Sequence, residues 1–377
     1  MDFNSSTHRR HWLFTKETLR DVQEETVKLA AEACAAGTLP EGSRSFAVKR
    51  STAGGQAEAN AESIKGEAIS TSDVKVEGGV SAIDNSGGSG GGGGGAGKKR
   101  PASTTSAQEP LLTVGEEWLV KSFYAKKIQE TCGRDSADED LRRSEKVQAT
   151  AVAYFQRFYL SNSILEHDPK ILMLTCVFLA SKTEEQITNV ALLAKATGLE
   201  DLQILGKELT LLQGLSFHLA VFHPYRALTA LLEGARLRAK AAGIPPQPEK
   251  IMALHDGARA ALDDMLVTNL PFLHSPSRLA LAALLRESRR LEAPPFDVAA
   301  MLGKEFGDRE GWKDVVKEAE ELAVELDRDS ILPYRVEKDK LIAVNKKLKK
   351  HALWSAKRGR GADGGERRKS KKIKTEA

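Results

Sequence analysis

Cysteine is scarce in this chain of 377 residues, and its three cysteines, Cys34, Cys132 and Cys176, lie far apart without a CxxC pair. Neither a disulfide framework nor a zinc site is therefore expected, and an intracellular, reducing compartment is the predicted setting. The eight histidines are scattered singly, and none has the i, i+4 spacing with a carboxylate that a metalloprotease helix requires. We expect no metal site and no bound cofactor.

Long apolar runs are also missing. The longest one, residues 171–180, is far shorter than the about 20 residues that cross a bilayer. The N-terminal stretch MDFNSSTHRRHWLF has no long apolar run, so no signal peptide is predicted. We expect a soluble protein without a membrane partner.

Excess charge is confined to one end of the chain. The net charge is +4, but residues 355–377 contain nine Lys or Arg against three Asp or Glu, which leaves −2 for everything before them. Because nucleic-acid binding normally needs a basic face on the fold itself, direct binding by the folded body is not expected. The tail sequence KRGRGADGGERRKSKKIK resembles a split nuclear-localisation signal and predicts a nuclear protein; a solvated, disordered tail is the alternative.

Residues 50–110 form a low-complexity segment rich in Ser, Gly, Ala and Glu, which predicts a flexible, disordered insertion. Within it, GGGGAGK at residues 92–98 fits the first part of the phosphate-loop pattern. The next residue is Lys99 where the pattern requires Ser or Thr, and no buried strand precedes the run. A nucleotide site is therefore not predicted.

From Leu111 onward the pattern is helical, and a first set of five helices is predicted. Its third helix, residues 169–182, is apolar on every side, which is typical of a central helix enclosed by others. The fourth is expected at residues 188–196, and the fifth spans residues 201–215. The fifth helix places four leucines on one stripe: Leu202, Leu205, Leu209 and Leu212.

A second set of five helices follows, with similar helix-start signals. Pro224 opens its first helix, PEKIMALHDGARAALDDMLVT forms another, and Ser275 with Pro276 opens the most apolar one. Two further helices, at residues 295–306 and 310–327, complete this set. The expected fold is all-α, with two tandem five-helix repeats, each wrapped about its third helix.

Single helices flank the two repeats. Residues 15–36 predict an amphipathic helix with Thr15 as its N-cap and Gly37 as its stop. At the other end, VEKDKLIAVNKKLKKHALW has an apolar face formed by Leu341, Val344 and Leu348, with Trp354 as a further candidate. Whether this last helix packs on the body or on a partner is left open by the sequence.

These patterns divide the chain into six parts. The predicted boundaries are an N-terminal segment at 1–49, the insertion at 50–110, the first repeat at 111–221, the second repeat at 222–330, the C-terminal helix at 331–354 and the basic tail at 355–377.

Four motifs resemble those of the cyclins. Residues 149–185 are similar to the heart of a cyclin box, with YFQRFYL at 154–160 matching the pattern YFxRFYL of the H-type transcriptional cyclins. DPKILMLTC at 168–176 resembles their HPxxIMLTC, and HPYR at 223–226 resembles their (N/H)PYR before the second box. FNSSTHRRHWLF at 3–14 resembles their N-terminal NSSxxRxWxF. The motifs span the chain to about residue 350, apart from the insertion.

The resemblance implies a regulatory subunit with no active site of its own. Such cyclins bind and activate a cyclin-dependent kinase, which acts as the CDK-activating kinase and, within TFIIH, phosphorylates RNA polymerase II. The implied partners are the cyclin-dependent kinase catalytic subunit, a RING-finger assembly subunit and the TFIIH core, in the nucleus.

The resemblance also names two residues for the kinase contact. The lysine of the LAxK stretch corresponds to Lys182, and a glutamate of the fifth helix corresponds to Glu208. An ammonium has three donors and no acceptor, which suits free carbonyls at the end of a partner helix. The alternative is a bridge between two helices, worth at most about 1 kcal/mol if it is exposed.

The chain departs from the cell-cycle cyclins, whose first box helix carries an MRxIL…W pattern. The same region reads GEEWLVKSFYAKKIQETCG, so an RxL-type docking groove is not predicted. Two other functions remain open. One is another transcriptional cyclin of the C or T type, and the other is a two-repeat adaptor like transcription factor IIB. An enzyme is least expected, because the motifs assemble no nucleophile, base and orienting group.

Overall fold

The computed structural model describes residues 3–36, 111–134, 136–307, 309–327 and 338–349. Within these ranges every regular element is a helix, which confirms the predicted all-α fold. No helix in the described ranges is both long and apolar enough to cross a bilayer. The predicted insertion at 50–110, the phosphate-loop-like run and the basic tail lie outside the described residues.

The N-terminal segment forms two helices, α1 (Thr7–Trp12) and α2 (Lys16–Ala36). The hydroxyl of Thr15 accepts a hydrogen bond from the backbone N–H of Thr18 at 3.2 Å, as its predicted capping role requires. Gly37, the predicted stop of α2, lies outside the described residues.

In its described residues the first repeat contains six α-helices: α3 (Val114–Cys132), α4 (Glu145–Ser161), α5 (Pro169–Thr183), α6 (Val190–Thr197), α7 (Asp201–Leu205) and α8 (Glu208–Gly214). Asn189 caps α6 by accepting from the N–H of Ala191, so this helix begins two residues after the predicted Thr188. Asp168 accepts from the N–H of Lys170 at 2.7 Å and starts α5 where the sequence predicts.

Helix α5 is the centre of the first repeat and packs against α3 and α4. Ten consecutive side chains, at residues 172–181, are buried, and Lys182 is the first exposed residue after them. The apolar segment therefore forms the enclosed third helix that its composition predicts.

The predicted single helix at 201–215 is wrong, because it divides into α7 and α8 at Gly206. The break changes which apolar side chains face the core. Ile204, Leu211 and Leu215 are fully buried, whereas three of the four stripe leucines are exposed: Leu202, Leu205 and Leu209.

The second repeat also contains six helices: α9 (Pro224–Ala241), α10 (Pro248–Leu266), α11 (Leu270–Leu273), α12 (Pro276–Arg290), α13 (Val298–Phe306) and α14 (Trp312–Glu325). Helix α12 is the enclosed one, with residues 279–285 all buried. The short helix α11 was not predicted. Helix α13 begins after the predicted Pro295, because Asp297 caps it by accepting from the N–H of Ala300. Helix α14 begins after Gly311, which has a φ of 76°.

Residues 338–349 form a last helix, α15, which returns to the first repeat. Leu341 and Val344 are buried in the first-repeat core, and Leu348 packs against it. The Lys347 ammonium donates to the carboxylate of Glu116 on α3. The structure therefore answers the question left open by the sequence: this helix packs on the body. Trp354 lies outside the described residues.

Candidate partner-binding surface

The two residues assigned to the kinase contact lie together where α5 leaves the core. The Lys182 Nζ donates to Glu208 Oε1 at 2.6 Å, and it lies 4.3 Å from the centre of the Phe178 ring. Glu208 is the first residue of α8, so the pair joins the end of one helix to the start of another. The predicted proximity of Lys182 and Glu208 is present, while their contact with a kinase stays a prediction.

The Lys182–Glu208 pair is too exposed to be a major source of stability. The side chains are 43% and 23% exposed, and pairs of this kind contribute about 0–1 kcal/mol. The contact with the Phe178 ring adds about 0.5–1 kcal/mol at such an exposed site. Because the bond to Glu208 uses only one of the three ammonium donors, Lys182 retains donors for a further acceptor.

Exposed apolar side chains cluster in the same part of the first repeat. Of the eleven large apolar residues exposed in the described part of the chain, six lie between residues 187 and 217. The most exposed are Ile187 at 87%, Leu202 at 78%, Phe217 at 61% and Leu209 at 60%. Helices α7 and α8, which carry the leucines, both pack against α5. We interpret this concentration of exposed apolar side chains as a candidate site of protein interaction.

A strained turn presents Phe217 to solvent. Ser216 and Phe217 follow α8 with φ values of 51° and 57°, a left-handed conformation that costs non-glycine residues about 1–2 kcal/mol each. The turn is held by backbone N–H groups of both residues, which donate to the carbonyls of Gln213 and Leu212. Strained backbone of this kind is concentrated at functional sites. Nothing in the helical periodicity of the sequence signals this turn.

Glu184, just beyond Lys182, has a different role. Its Oε1 accepts from Thr150 Oγ1 at 2.7 Å and lies 3.6 Å from His223 Nε2, in the linker before α9. The nearby His223 ring and the Thr150 hydroxyl hold the pKa of Glu184 below its usual value, although burial acts in the opposite direction. Glu184 therefore connects the end of α5 to the linker between the repeats.

The N-terminal segment packs against the same linker, and we call these contacts the N-terminal clamp. Arg157 of α4 is fully buried, its guanidinium lies 4.9 Å from the Trp12 ring centre, and it donates to the Ala220 carbonyl at 3.3 Å. Burial lowers the pKa of Arg157 to about 9. On the other side, His8 Nδ1 accepts from the backbone N–H of Phe222 at 3.1 Å. Through these contacts, the N-terminal motif and the arginine of YFQRFYL both bind the linker between the repeats.

In the described ranges, no group of three or more His, Cys, Asp or Glu side chains could hold a metal ion.

Two family models match the chain in succession. The cyclin N-terminal domain matches residues 138–220, and the cyclin C-terminal domain matches residues 223–346. Each model covers the enclosed helix of one repeat, α5 in the first and α12 in the second.

Among curated proteins, the chain is 37% identical over 175 residues to Cyclin-H1-1 of Arabidopsis thaliana and 35% identical over 182 residues to Cyclin-H of Xenopus laevis. Each match covers 46% of this chain, and 49% or 53% of the relative. The chain is also 30% identical over 155 residues to Cyclin-C1-1 of Arabidopsis thaliana, covering 39% of this chain and 56% of that protein. The matches thus span about half the length of these relatives.

Two solved structures have the same fold. A chain of the CAK complex of Chaetomium thermophilum bound to ATP-gamma-S is 20% identical, with a TM-score of 0.62 over 100% of this chain and 96% of that one. A chain of the yeast TFIIK (Kin28/Ccl1/Tfb3) complex is 20% identical, with a TM-score of 0.52 over 85% of this chain and 100% of that one.

Proposed function

Because this chain belongs to the cyclin family, we propose that it is a non-catalytic regulatory subunit of the cyclin H type, which binds and activates a cyclin-dependent kinase. One observation carries the proposal: the enclosed helix α5 ends at an exposed Lys182–Glu208 pair, next to helices whose leucines face solvent. A surface of this composition is complementary to a protein rather than to a small substrate.

Activation requires the cyclin to bind one kinase conformation in preference to another. A protein kinase is active only when the β3 lysine pairs with the αC glutamate and the metal-binding aspartate is in place. Shifting such an equilibrium from 1:99 to 99:1 takes about 5.5 kcal/mol of differential binding. An obligate apolar interface of about 2,000 Å² or more has enough contact area to supply this difference.

The apolar and the charged side chains of this surface have different roles in binding the kinase. The exposed leucines of α7 and α8 and the strained Phe217 supply apolar contact area for the kinase αC helix. The Lys182 ammonium donates to free backbone carbonyls at the end of that helix, and Glu208 orients it and accepts amide hydrogens from the kinase. The pair then contributes more than it does in the free protein, because binding of the kinase removes it from water.

The proposed assembly follows from the relatives. The solved relatives are chains of a CAK complex and of a TFIIK (Kin28/Ccl1/Tfb3) complex. By analogy, this cyclin acts with its kinase as a CDK-activating kinase, joins a RING-finger assembly subunit and the TFIIH core, and supports phosphorylation of RNA polymerase II. This role places it in the nucleus, for which the basic tail at residues 355–377 supplies the signal.

The second candidate function is that of a C-type transcriptional cyclin, which the 30% identity to Cyclin-C1-1 favours. The two are distinguished by the kinase that co-purifies with the tagged chain and is identified by mass spectrometry. Recovery of promoter DNA without any kinase would instead favour the adaptor resembling transcription factor IIB.

The role of the charged pair is tested by charge reversal in reconstituted cyclin–kinase complexes. Both Lys182→Glu and Glu208→Lys should weaken kinase binding by about thirtyfold or more, since truncating one member of a buried, hydrogen-bonded charge pair costs about 2–5 kcal/mol. Kinase activity should fall with binding, while helix content by circular dichroism stays unchanged. Lys313→Glu, an exposed charge reversal on α14, is the matched control and should bind normally.

The double variant Lys182→Glu/Glu208→Lys separates the kinase contact from a simple bridge. If the two side chains serve only to pair with each other, the swapped pair restores binding. If each contacts the kinase, as we propose, the double variant remains at least as weak as the single ones. Normal binding and activity of both single variants would refute the assignment of these residues.

A further inference from the structure

The second repeat has a cavity of about 180 Å³ at the end of α9, which is partly open to solvent. It lies between the last turns of α9, the loop that follows, the start of α10 and the segment before α13. Its apolar lining includes Ile244, Ile251 and Phe296. All its lining residues belong to the second repeat, so the cavity is separate from the Lys182 surface of the first repeat.

The volume of the cavity limits what it can hold. Sites for drug-sized molecules measure about 300–1,000 Å³, which is larger than this cavity. An apolar cavity of about 150 Å³ binds one benzene molecule. The space therefore matches a single aromatic ring, such as the side chain of one phenylalanine.

The wall of the cavity is rigid before any ligand arrives. Pro245 and Pro246 form part of the lining, and each proline fixes its φ near −65° and lacks an N–H donor. The side-chain amide of Gln247 donates to the Pro295 carbonyl at 3.4 Å, which ties the loop to the segment before α13. A preformed wall reduces the entropy cost of inserting a side chain.

The charged residues in the lining have one sign. Arg236 and Lys240, one turn apart on α9, are the ionisable residues of the lining, and both are basic. Arg236 is held by Glu233, with 2.7 Å between Nε and Oε2. Lys240 is exposed, and its ammonium makes no hydrogen bond or ion pair among the residues that the structure describes. Lys240 is therefore the cation of the rim that can receive an anionic ligand, because Glu233 offsets much of the charge of Arg236.

We propose that this cavity docks a partner protein through a phenylalanine flanked by aspartate or glutamate. The ring enters between Ile244 and Phe296, and the flanking carboxylates bind the Lys240 ammonium and the outer edge of the Arg236 guanidinium. Two segments of this chain are poorer occupants. Residues 355–377 are strongly basic and would be repelled, and residues 50–108 contain no aromatic residue.

The test uses the full-length chain and a fluorescein-labelled peptide of sequence GSDFDDGS, with binding followed by fluorescence anisotropy. We expect saturable binding with a Kd below about 1 mM, and binding about tenfold weaker to the Lys240→Glu variant. Two further peptides, with the phenylalanine replaced by glycine or the aspartates by lysine, should not bind in this range.

Lys250→Glu is the matched control, because it makes the same charge change at an exposed residue of α10 outside the cavity lining. It should retain the affinity of the unmodified chain. Equal weakening by both variants would show a diffuse charge effect and overturn the proposal, as would failure of the peptide to bind. Concentration-dependent self-association that Lys240→Glu abolishes would identify a second copy of the chain as the occupant and also overturn it.

Discussion

His8 gives the N-terminal clamp a defined dependence on pH. Its ring is buried, and its Nδ1 accepts the N–H of Phe222, so it must be neutral in the folded protein. Burial, together with the positive charges of Arg157 and His223, lowers the pKa of His8 from 6.5 to about 3. When the clamp opens and His8 becomes solvated, its pKa returns toward the ordinary value of about 6.5.

The sign and size of the effect follow from proton linkage. Because the folded pKa is depressed, the clamp is fully stable above pH 6.5 and loses stability as the pH falls toward 3, since only the open state takes up the proton. Each pH unit in this window costs about 1.4 kcal/mol. Between pH 7 and pH 5, opening of the clamp should become easier by about 2 kcal/mol, or about thirtyfold in the opening equilibrium.

The assay is hydrogen exchange of the Phe222 amide, corrected for the intrinsic dependence of exchange on pH. The control is His8→Asn, whose side-chain oxygen can replace Nδ1 as acceptor but does not titrate. The protection of the Phe222 amide should fall about thirtyfold more in the unmodified chain than in this variant between pH 7 and pH 5. Equal changes in the two proteins would refute the linkage to His8, because all other titrating groups are common to both.

Two further predictions concern the interior of the first repeat. Gly214→Ala should lower the free energy of unfolding by about 1–3 kcal/mol in urea denaturation, because the new Cβ would lie 2.4 Å from the Phe158 ring; an unchanged midpoint would contradict this packing. Burial raises the pKa of Cys132 to about 12 and that of Cys176 well above its usual value. In iodoacetamide labelling at pH 8 only the partly exposed Cys34 should react in the native protein, and rapid modification of either buried thiol would show that the core opens readily.

Most of the fold follows from local signals in the sequence. The aspartate and proline at 168–169 and the prolines at 224 and 276 begin helices where they are expected, because an N-cap or a proline defines a helix start with local atoms alone. The enclosed α5 is equally clear, since a helix that is apolar on every side must be surrounded. The domain boundaries stay a prediction.

The errors have two causes. The break at Gly206 and the four-residue α11 involve elements too short for periodicity to detect, and elsewhere contacts distant in sequence decide. The sequence does not determine where α15 packs, because its apolar face suits either the body or a partner. The burial of the Val344 side chain in the first repeat shows which of the two it is. For the same reason the sequence could place Glu184 beside Lys182 without revealing that it binds the linker between the repeats.

The error in the stripe of leucines at residues 201–215 indicates which apolar side chains are left for a partner. The segment has two apolar faces, and burial of both would require a third layer of helices around the repeat. The break at Gly206 lets Ile204 and Leu211 enter the core, which leaves Leu202 and Leu209 in water. Burying a leucine stabilises a protein by about 1.5–3 kcal/mol. A segment with two apolar faces is therefore expected where a partner protein covers the face that the core does not. We expect a Leu209→Ser variant to lose kinase binding while it keeps its unfolding midpoint in urea. Unchanged binding would contradict the proposal that Leu209 belongs to the kinase surface.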